Sequence, residues 1–244
     1  MHIKAVLPAS VIEYPGHIAD VLYVGACNFR CPYCYNVDLV LRPEQLPDIE
    51  PAQVLQRLET RRGLVDGLVV TGGEPTLQPD LLQFLAQVRP SGLAVKLDTN
   101  GYRPDVLKEC LEQRLVSYVA MDIKSSLARY ELAAGVPVDT ERLLQSIELL
   151  RCSEIDYEFR TTVVPSLVDL EDVQAIVHLI AGAKKYYLQC FRPGKTVAWA
   201  EDAPIGPPSA ELLEKMAEAA ACQVQEVGIR GLLPACCYIR RARQ

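Results

Sequence analysis

Residues 20–34 read Asp20-Val21-Leu22-Tyr23-Val24-Gly25-Ala26-Cys27-Asn28-Phe29-Arg30-Cys31-Pro32-Tyr33-Cys34. The stretch opens as an apolar run of strand length, Asp20–Gly25, and passes into a loop carrying three cysteines. Further strand-like runs fall at Gly67–Thr71, Leu93–Asp98, Tyr118–Lys124, Asp156–Val164 and Tyr186–Phe191. Between them lie stretches with helical spacing. Val54, Leu55 and Leu58 share a face, as do Leu81, Leu82, Leu85 and Val88. Leu143, Leu144, Ile147 and Leu150 repeat the pattern, and so do Val173, Ile176, Val177 and Ile180. Pro51, Pro79 and Pro104 stand where a first helical turn tolerates proline. Alternating strands and helices predict βα units around a parallel sheet. The chain has 244 residues, and a full eight-unit barrel usually takes ~250. Six units plus a cysteine loop fit, which predicts an α/β fold with an open, partial (βα)6 TIM-like barrel. One domain over residues 1–244 is expected, with its core barrel over about 18–193. A C-terminal extension, about 194–244, would hold a helix near Ala210–Ala220 and a strand at Val224–Ile229.

A strand buried on both faces should be almost wholly apolar. Three of these are not, and the exceptions fall with period two. Lys96 and Asp98 alternate with Val95 and Leu97. Asp122 and Lys124 alternate with Met121 and Ile123. Glu158, Arg160 and Thr162 alternate with Tyr157 and Phe159. One face therefore carries charge across three successive strands. Unpaired buried charge is too costly to persist, so these groups must pair with one another or with a ligand. Their position toward the strands' C-terminal ends, where barrel active sites sit, favours a ligand. Salt bridging within a large lumen is the alternative.

The net charge is −6 and 50% of residues are hydrophobic. That balance argues against a nucleic-acid surface and allows a sizeable core. No apolar run reaches the ~18 residues of a membrane span. The opening Met1-His2-Ile3-Lys4 lacks the layout of a signal peptide, so a cytoplasmic protein without a membrane segment is expected. Nine cysteines are then unlikely candidates for disulfides. Cys110 shares a helical face with Val106 and Leu107 and reads as core. Cys190 alternates away from Gln189 and should pack against helices. Cys222, Cys236 and Cys237 lie late in the chain. Burial is their default, an accessory redox or metal site the alternative, and Cys236 and Cys237 are not expected to bind a cluster. Cys27, Cys31 and Cys34 differ from all of these. Thiolates suit zinc or iron–sulfur clusters, and three of them on one loop can wrap a cluster while leaving one iron open. An open metal position marks catalysis more than structure. A three-cysteine zinc site with a distant fourth ligand is the competing reading.

At this loop the chain resembles the radical S-adenosylmethionine superfamily. The signature Cys-x-x-x-Cys-x-aromatic-Cys is matched, with Tyr33 as the aromatic residue. The resemblance implies a 4Fe–4S cluster on Cys27, Cys31 and Cys34, with its fourth iron chelated by the amino and carboxylate groups of S-adenosylmethionine. Thr71-Gly72-Gly73-Glu74-Pro75 ends the second strand and is similar to the family's GGE motif, which binds the methionine amino group. Alone, Gly-Gly is an ordinary βα turn. Asp98-Thr99-Asn100-Gly101 and Met121-Asp122-Ile123-Lys124 resemble the DTNG and D-x-K motifs of glycyl-radical-enzyme activating enzymes. That likeness implies a monovalent cation near Asp98 and Asp122, with Thr99, Asn100 and Lys124 beside the cofactor. It further implies Arg160 near the cofactor carboxylate and Gln189 near the nucleoside. A plain salt bridge from Arg160 to Glu158 or Asp122 is the alternative.

The resemblance runs from Glu13 to Pro193 and looks closest to anaerobic ribonucleoside-triphosphate reductase activating proteins. Glu13-Tyr14-Pro15-Gly16 and Leu188-Gln189-Cys190-Phe191-Arg192-Pro193-Gly194-Lys195-Thr196 add to it. It implies reductive cleavage of S-adenosylmethionine to a 5′-deoxyadenosyl radical, which forms a glycyl radical on that reductase. A flavodoxin- or ferredoxin-type donor would supply the electron. Three positions depart from the pattern: Glu13 for aspartate, Tyr35 for histidine after the third cysteine, and Cys190 for glutamine. A small-molecule radical enzyme like 7-carboxy-7-deazaguanine synthase is the second enzyme reading. A zinc- or cluster-stabilised interaction protein is the non-enzyme reading.

Overall fold

The computed structural model describes residues 1–198, 205–232 and 238–241. A nine-stranded sheet follows sequence order. Its strands are β1 (Ile3–Ser10), β2 (Ala19–Val24), β3 (Gly67–Gly72), β4 (Ala94–Thr99), β5 (Tyr118–Asp122), β6 (Asp156–Val163), β7 (Lys185–Cys190), β8 (Glu226–Arg230) and β9 (Tyr238–Arg241). From β2 to β8 neighbours run parallel, while β1 and β9 add antiparallel strands at the two ends. The order is that of a partial barrel, β1 and β9 forming its two margins. The parallel run continues past the sixth predicted unit: Tyr187 pairs with Gly228 and Gln189 with Arg230. The late strand is thus a further stave of the same sheet.

The helices are α1 (Val37–Leu41), α2 (Pro51–Thr60), α3 (Leu81–Val88), α4 (Pro104–Glu112), α5 (Tyr130–Ala134), α6 (Thr140–Arg151), α7 (Leu170–Leu179) and α8 (Ala210–Ala220). Their starts follow local chemistry. Pro51 and Pro104 occupy first-turn positions of α2 and α4. The Asp169 carboxylate accepts from the Asp172 N–H, and Asp172 returns the bond, capping α7. Ser209 caps α8 by accepting from the Leu212 N–H. The predicted apolar faces are the buried ones, with Val54, Leu58, Leu81, Leu85, Val88, Leu143, Ile147, Leu150, Val173, Ile176, Val177 and Ile180 all in the main core. They meet Val95, Leu97, Val119, Met121, Ile123, Tyr157 and Phe159 from the outward face of the sheet. Cys110 is fully buried there, as expected. No described helix is long and apolar enough to cross a membrane.

The inward face is layered. Ala19, Val21, Val69, Tyr118 and Ala120 pack with Tyr14 as a small separate cluster toward the strands' N-terminal ends. Lys96, Asp98, Asp122, Glu158 and Arg160 lie further along the strands. β1 pairs Ser10 with Ala19 and Ile3 with Val24. The β1–β2 connection therefore lies at the opposite end of β2 from the cysteine loop. Val11 and Ile12 on it are 71% and 84% exposed.

Candidate cofactor site

The cysteine loop leaves β2 through Ala26, whose φ of +71° is a conformation L-residues rarely adopt. The loop is tied at several points. The Arg30 N–H donates to the Ala134 carbonyl at the end of α5 (2.8 Å), and Gly135 then turns with φ +69°. A Cβ at Gly135 would stand 2.2 Å from the Arg30 carbonyl oxygen, so the turn has to be glycine. The N–H groups of Val197 and Ala198 donate to the carbonyls of Cys34 and Pro32 (3.0 and 3.1 Å).

Gly72-Gly73-Glu74 lies directly against the exit of β2. Gly73 N–H donates to the Val24 carbonyl and Glu74 N–H to the Ala26 carbonyl, each at 2.8 Å. A Cβ on Gly73 would fall 1.9 Å from the Ala26 oxygen, and one on Gly72 2.4 Å from the Val24 nitrogen. These glycines are required first by the approach of two backbones, and only through it by any ligand. Gly73→Ala should lower the unfolding free energy by ~1–3 kcal/mol, as overpacking against unyielding atoms does. Denaturant titration checks this, and an unchanged midpoint would show that the two loops separate without cost.

Glu74 is almost completely buried. Its carboxylate accepts from the Thr99 hydroxyl (2.7 Å), the Asn100 N–H (2.7 Å) and the Thr76 N–H (3.1 Å). Burial pushes its pKa up, and these hydrogen bonds oppose the rise. The side chain thus binds the end of β3 to the end of β4. Asn100 in turn donates to the Asn28 side chain at 2.9 Å and comes within 3.9 Å of the Cys27 sulfur.

The charged face is a chain of alternating sign. Asp98 accepts from Lys96 and from Arg160 (3.2 Å). Asp122 accepts from the Arg160 Nε (2.7 Å) and from Lys124 (3.0 Å). Glu158 takes a two-pronged bond from Arg230 at 2.6 and 2.8 Å and a third from the Tyr118 hydroxyl at 2.7 Å. Burial would raise the Asp98 and Asp122 carboxyls, but Arg160 and the lysines outweigh it and hold both below the ordinary range. The charges on this face therefore do pair with one another. Asp98, Asp122, Lys124 and Arg160 also open onto a cavity.

That cavity, of about 260 Å³, is lined by the residues that the resemblance assigned to cluster and cofactor: Cys27, Cys31, Tyr33, Cys34, Thr71, Gly72, Gly73, Glu74, Asp98, Thr99, Asn100, Asp122, Lys124, Arg160 and Gln189; Lys96 and Glu158 of the charged face are not among its lining. Phe29, Tyr35, Asn36, Val40 and Thr162 complete the wall. Asn36 donates to the Gly72 carbonyl (2.8 Å), and Gln189 donates to Thr162 (3.3 Å). Arg230, which fixes Glu158, was missed. The signal for it was a buried glutamate with too few nearby cations to neutralise it.

The donor set suits an iron–sulfur cluster. Cys27, Cys31 and Cys34 are free thiols on one cavity wall. Burial pushes the Cys27 thiol up to about 12 and raises Cys31 as well. Such thiols become thiolates when a metal displaces the proton. The buried Asn28 Nδ2 finds no partner in the chain and leaves a donor pointing to no protein atom. Among the described residues no three Cys, His, Asp or Glu side chains converge on one ion. A cluster takes each thiolate at a different iron, so it does not need three side chains at one ion. Cys190 is half-buried and Cys152 and Cys222 are exposed, while Cys236 and Cys237 lie outside the described residues.

Comparison with known proteins agrees with this geometry. Residues 21–180 match the profile of the Radical SAM superfamily. A protein of Methanocaldococcus jannaschii named "Putative glycyl-radical enzyme activating enzyme" is 31% identical over 78% of this chain and 80% of its own. The 7-carboxy-7-deazaguanine synthase of Neisseria meningitidis is 30% identical over 59% of this chain and 63% of its own. Among solved structures, Streptococcus suis SuiB aligns with TM-score 0.67 and 11% identity, over 87% of this chain and 49% of that one. TYW1 with a lysine–pyruvate adduct aligns with TM-score 0.62 and 15% identity, over 92% and 80%. At such identities the solved structures speak for the fold alone. The superfamily match covers the cysteine loop and β2 through α7, and it implies the 4Fe–4S cluster and S-adenosylmethionine for which the cavity is suited. The chain belongs to the radical S-adenosylmethionine superfamily.

Proposed function

We propose that this chain is an activating enzyme that installs a glycyl radical on a partner protein, anaerobic ribonucleoside-triphosphate reductase being the partner we favour. One observation carries the reading. The aspartates of the DTNG and D-x-K strings line the same cavity as the three cysteines and are joined through Arg160. When bound, the reduced cluster supplies the electron that splits S-adenosylmethionine into methionine and a 5′-deoxyadenosyl radical.

The protein's part is binding, placement and exclusion. Cys27, Cys31 and Cys34 would hold the cluster from one wall. Glu74, by tying Thr99 and Asn100 to the β3 exit, fixes the Gly72–Gly73 backbone that would face the methionine amino group. Arg160 and Lys124 offer positive charge to a carboxylate, held in place by Asp98 and Asp122. A monovalent cation between those aspartates would share them with Lys96 and Lys124. Gln189 and Thr162 offer polar contacts to the nucleoside. A flavodoxin- or ferredoxin-type protein would deliver the electron.

The exposed Val11 and Ile12 beside Glu13 give a protein partner an apolar foothold. The test is to mix reduced enzyme, S-adenosylmethionine and the candidate reductase and record EPR spectra. A glycyl doublet is expected, and it should vanish when the reductase's target glycine is alanine. A specific match favours a second reading, the 7-carboxy-7-deazaguanine synthase of Neisseria. Efficient cofactor cleavage without any protein radical would move the assignment to such a small substrate.

A further inference from the structure

Tyr35 follows the third cysteine and is half exposed, so its own burial gives little reason for a fixed position. It is nevertheless fixed. Its hydroxyl donates to the Arg192 carbonyl and accepts from the Arg192 N–H at 2.9 Å, a reciprocal pair spanning 157 positions. Its ring stacks on Phe191, with centroids 6.1 Å apart and planes 13° off parallel. Gly194 lies near the same ring, where a Cβ would stand in ordinary contact at 3.8 Å. The segment that begins at Arg192 then folds back onto the cysteine loop, through the Val197 and Ala198 bonds to Cys34 and Pro32.

These contacts make a closed circuit. It runs from Cys34 to Tyr35, across to Arg192, along residues 192–198, and back to Cys34. Within it, Tyr35 bonds both main-chain groups of one distant residue. The carbonyls of Pro32 and Cys34 are satisfied by the strap, so the last turn of the loop cannot move outward without breaking them. The Arg192 side chain anchors the strap's start by donating to the Gly231 carbonyl (3.0 Å), just past β8.

We infer that Tyr35 is a positioning residue: with the 192–198 strap it latches the Cys34 arm of the cysteine loop and so retains the iron–sulfur cluster. The inference rests on the assignment of Cys27, Cys31 and Cys34 as cluster ligands. Tyr35 also borders the cavity, and the latch is a separate role. It acts through the backbone of Cys34.

The experiment compares the wild type with Tyr35→Phe, which keeps the stacked ring and loses both hydrogen bonds, and with Tyr35→Ala, which loses all three contacts. Each is reconstituted anaerobically and then challenged with an iron chelator while the visible absorption is followed. Cluster loss should be at least roughly fivefold faster in Tyr35→Phe, and faster again in Tyr35→Ala, as expected for losing the two hydrogen bonds and then the ring contact as well. Iron content before the challenge should match the wild type. In the apo protein, amide exchange at Val197 and Ala198 should quicken in Tyr35→Ala while the global unfolding midpoint stays put. Equal rates of cluster loss in all three proteins would overturn the latch. So would a fall in the apo midpoint that parallels the loss, because Tyr35 would then be serving general stability. A wild type that binds no cluster fails before any variant is compared, and that result overturns the ligand assignment.

Discussion

Replacing Cys27, Cys31 and Cys34 together by alanine should abolish iron binding completely and leave the fold in place. The loop takes most of its shape from main-chain bonds. Its backbone is held mainly by the Arg30–Ala134, Val197–Cys34 and Glu74–Ala26 bonds, and the alanine variant gives up a long contact to sulfur, from the Phe29 N–H to Cys27 at 3.4 Å. Burial keeps Cys27 and Cys31 as neutral thiols until a metal displaces the proton. No rescue by other cysteines is expected. Cys110 sits under α4, and Cys152 and Cys222 are exposed. Iron assay, visible absorption and the reduced-state EPR signal all report the outcome. Signals surviving in the triple variant would place the cluster elsewhere. Loss of iron in a Cys236→Ser, Cys237→Ser double variant would bring the late cysteines into the ligand set.

Arg160→Ala should have the second largest effect. It removes the one cation shared by Asp98 and Asp122, leaving each carboxylate with a single lysine. Breaking a buried pair by deleting one partner costs ~3–5 kcal/mol, since the remaining charge keeps its desolvation penalty. S-adenosylmethionine binding should weaken while the folded fraction keeps its iron, because Arg160 does not support the cysteine loop. Calorimetry at a temperature where the variant is folded separates the two effects. Lowered stability with unchanged cofactor affinity would mean that the charged face serves only to neutralise itself.

The alternation of Lys96 with Asp98, of Asp122 with Lys124 and of Glu158 with Arg160 was readable because period two allows only one shared face. The structure joins these residues into one ion chain, so the pairing reading holds, and Asp98, Asp122, Lys124 and Arg160 of that chain also border the cavity. β1 was missed for a physical reason. Pro8 interrupts the run, and only Ile3 and Ser10 of its residues are buried, so no apolar alternation appears. Both features belong to an edge strand, which is where β1 lies. Arg230 was missed because the last strand was read as ending at Ile229, one residue short. The purpose of Gly72 and Gly73 was visible only in part. Sequence shows that the backbone must come close to something, but not that the something is Val24 and Ala26. The strap from Arg192 to Ala198 was illegible because its bonds join positions far apart and use main-chain atoms that carry no residue code.

Strand order that equals sequence order has a consequence for how the protein is made. A sheet of this kind can be assembled stave by stave as the chain leaves the ribosome, with N-terminal parts folding first. The cysteine loop emerges early, but its supports do not. Gly73 and Glu74 arrive with β3, Ala134 with α5, and Val197 and Ala198 only after β7. For most of synthesis the three thiols hang on an untied loop open to any metal or oxidant. Cluster loading in the cell should therefore follow release of a nearly complete chain, and fragments ending before residue 198 should load poorly even though they contain all three cysteines.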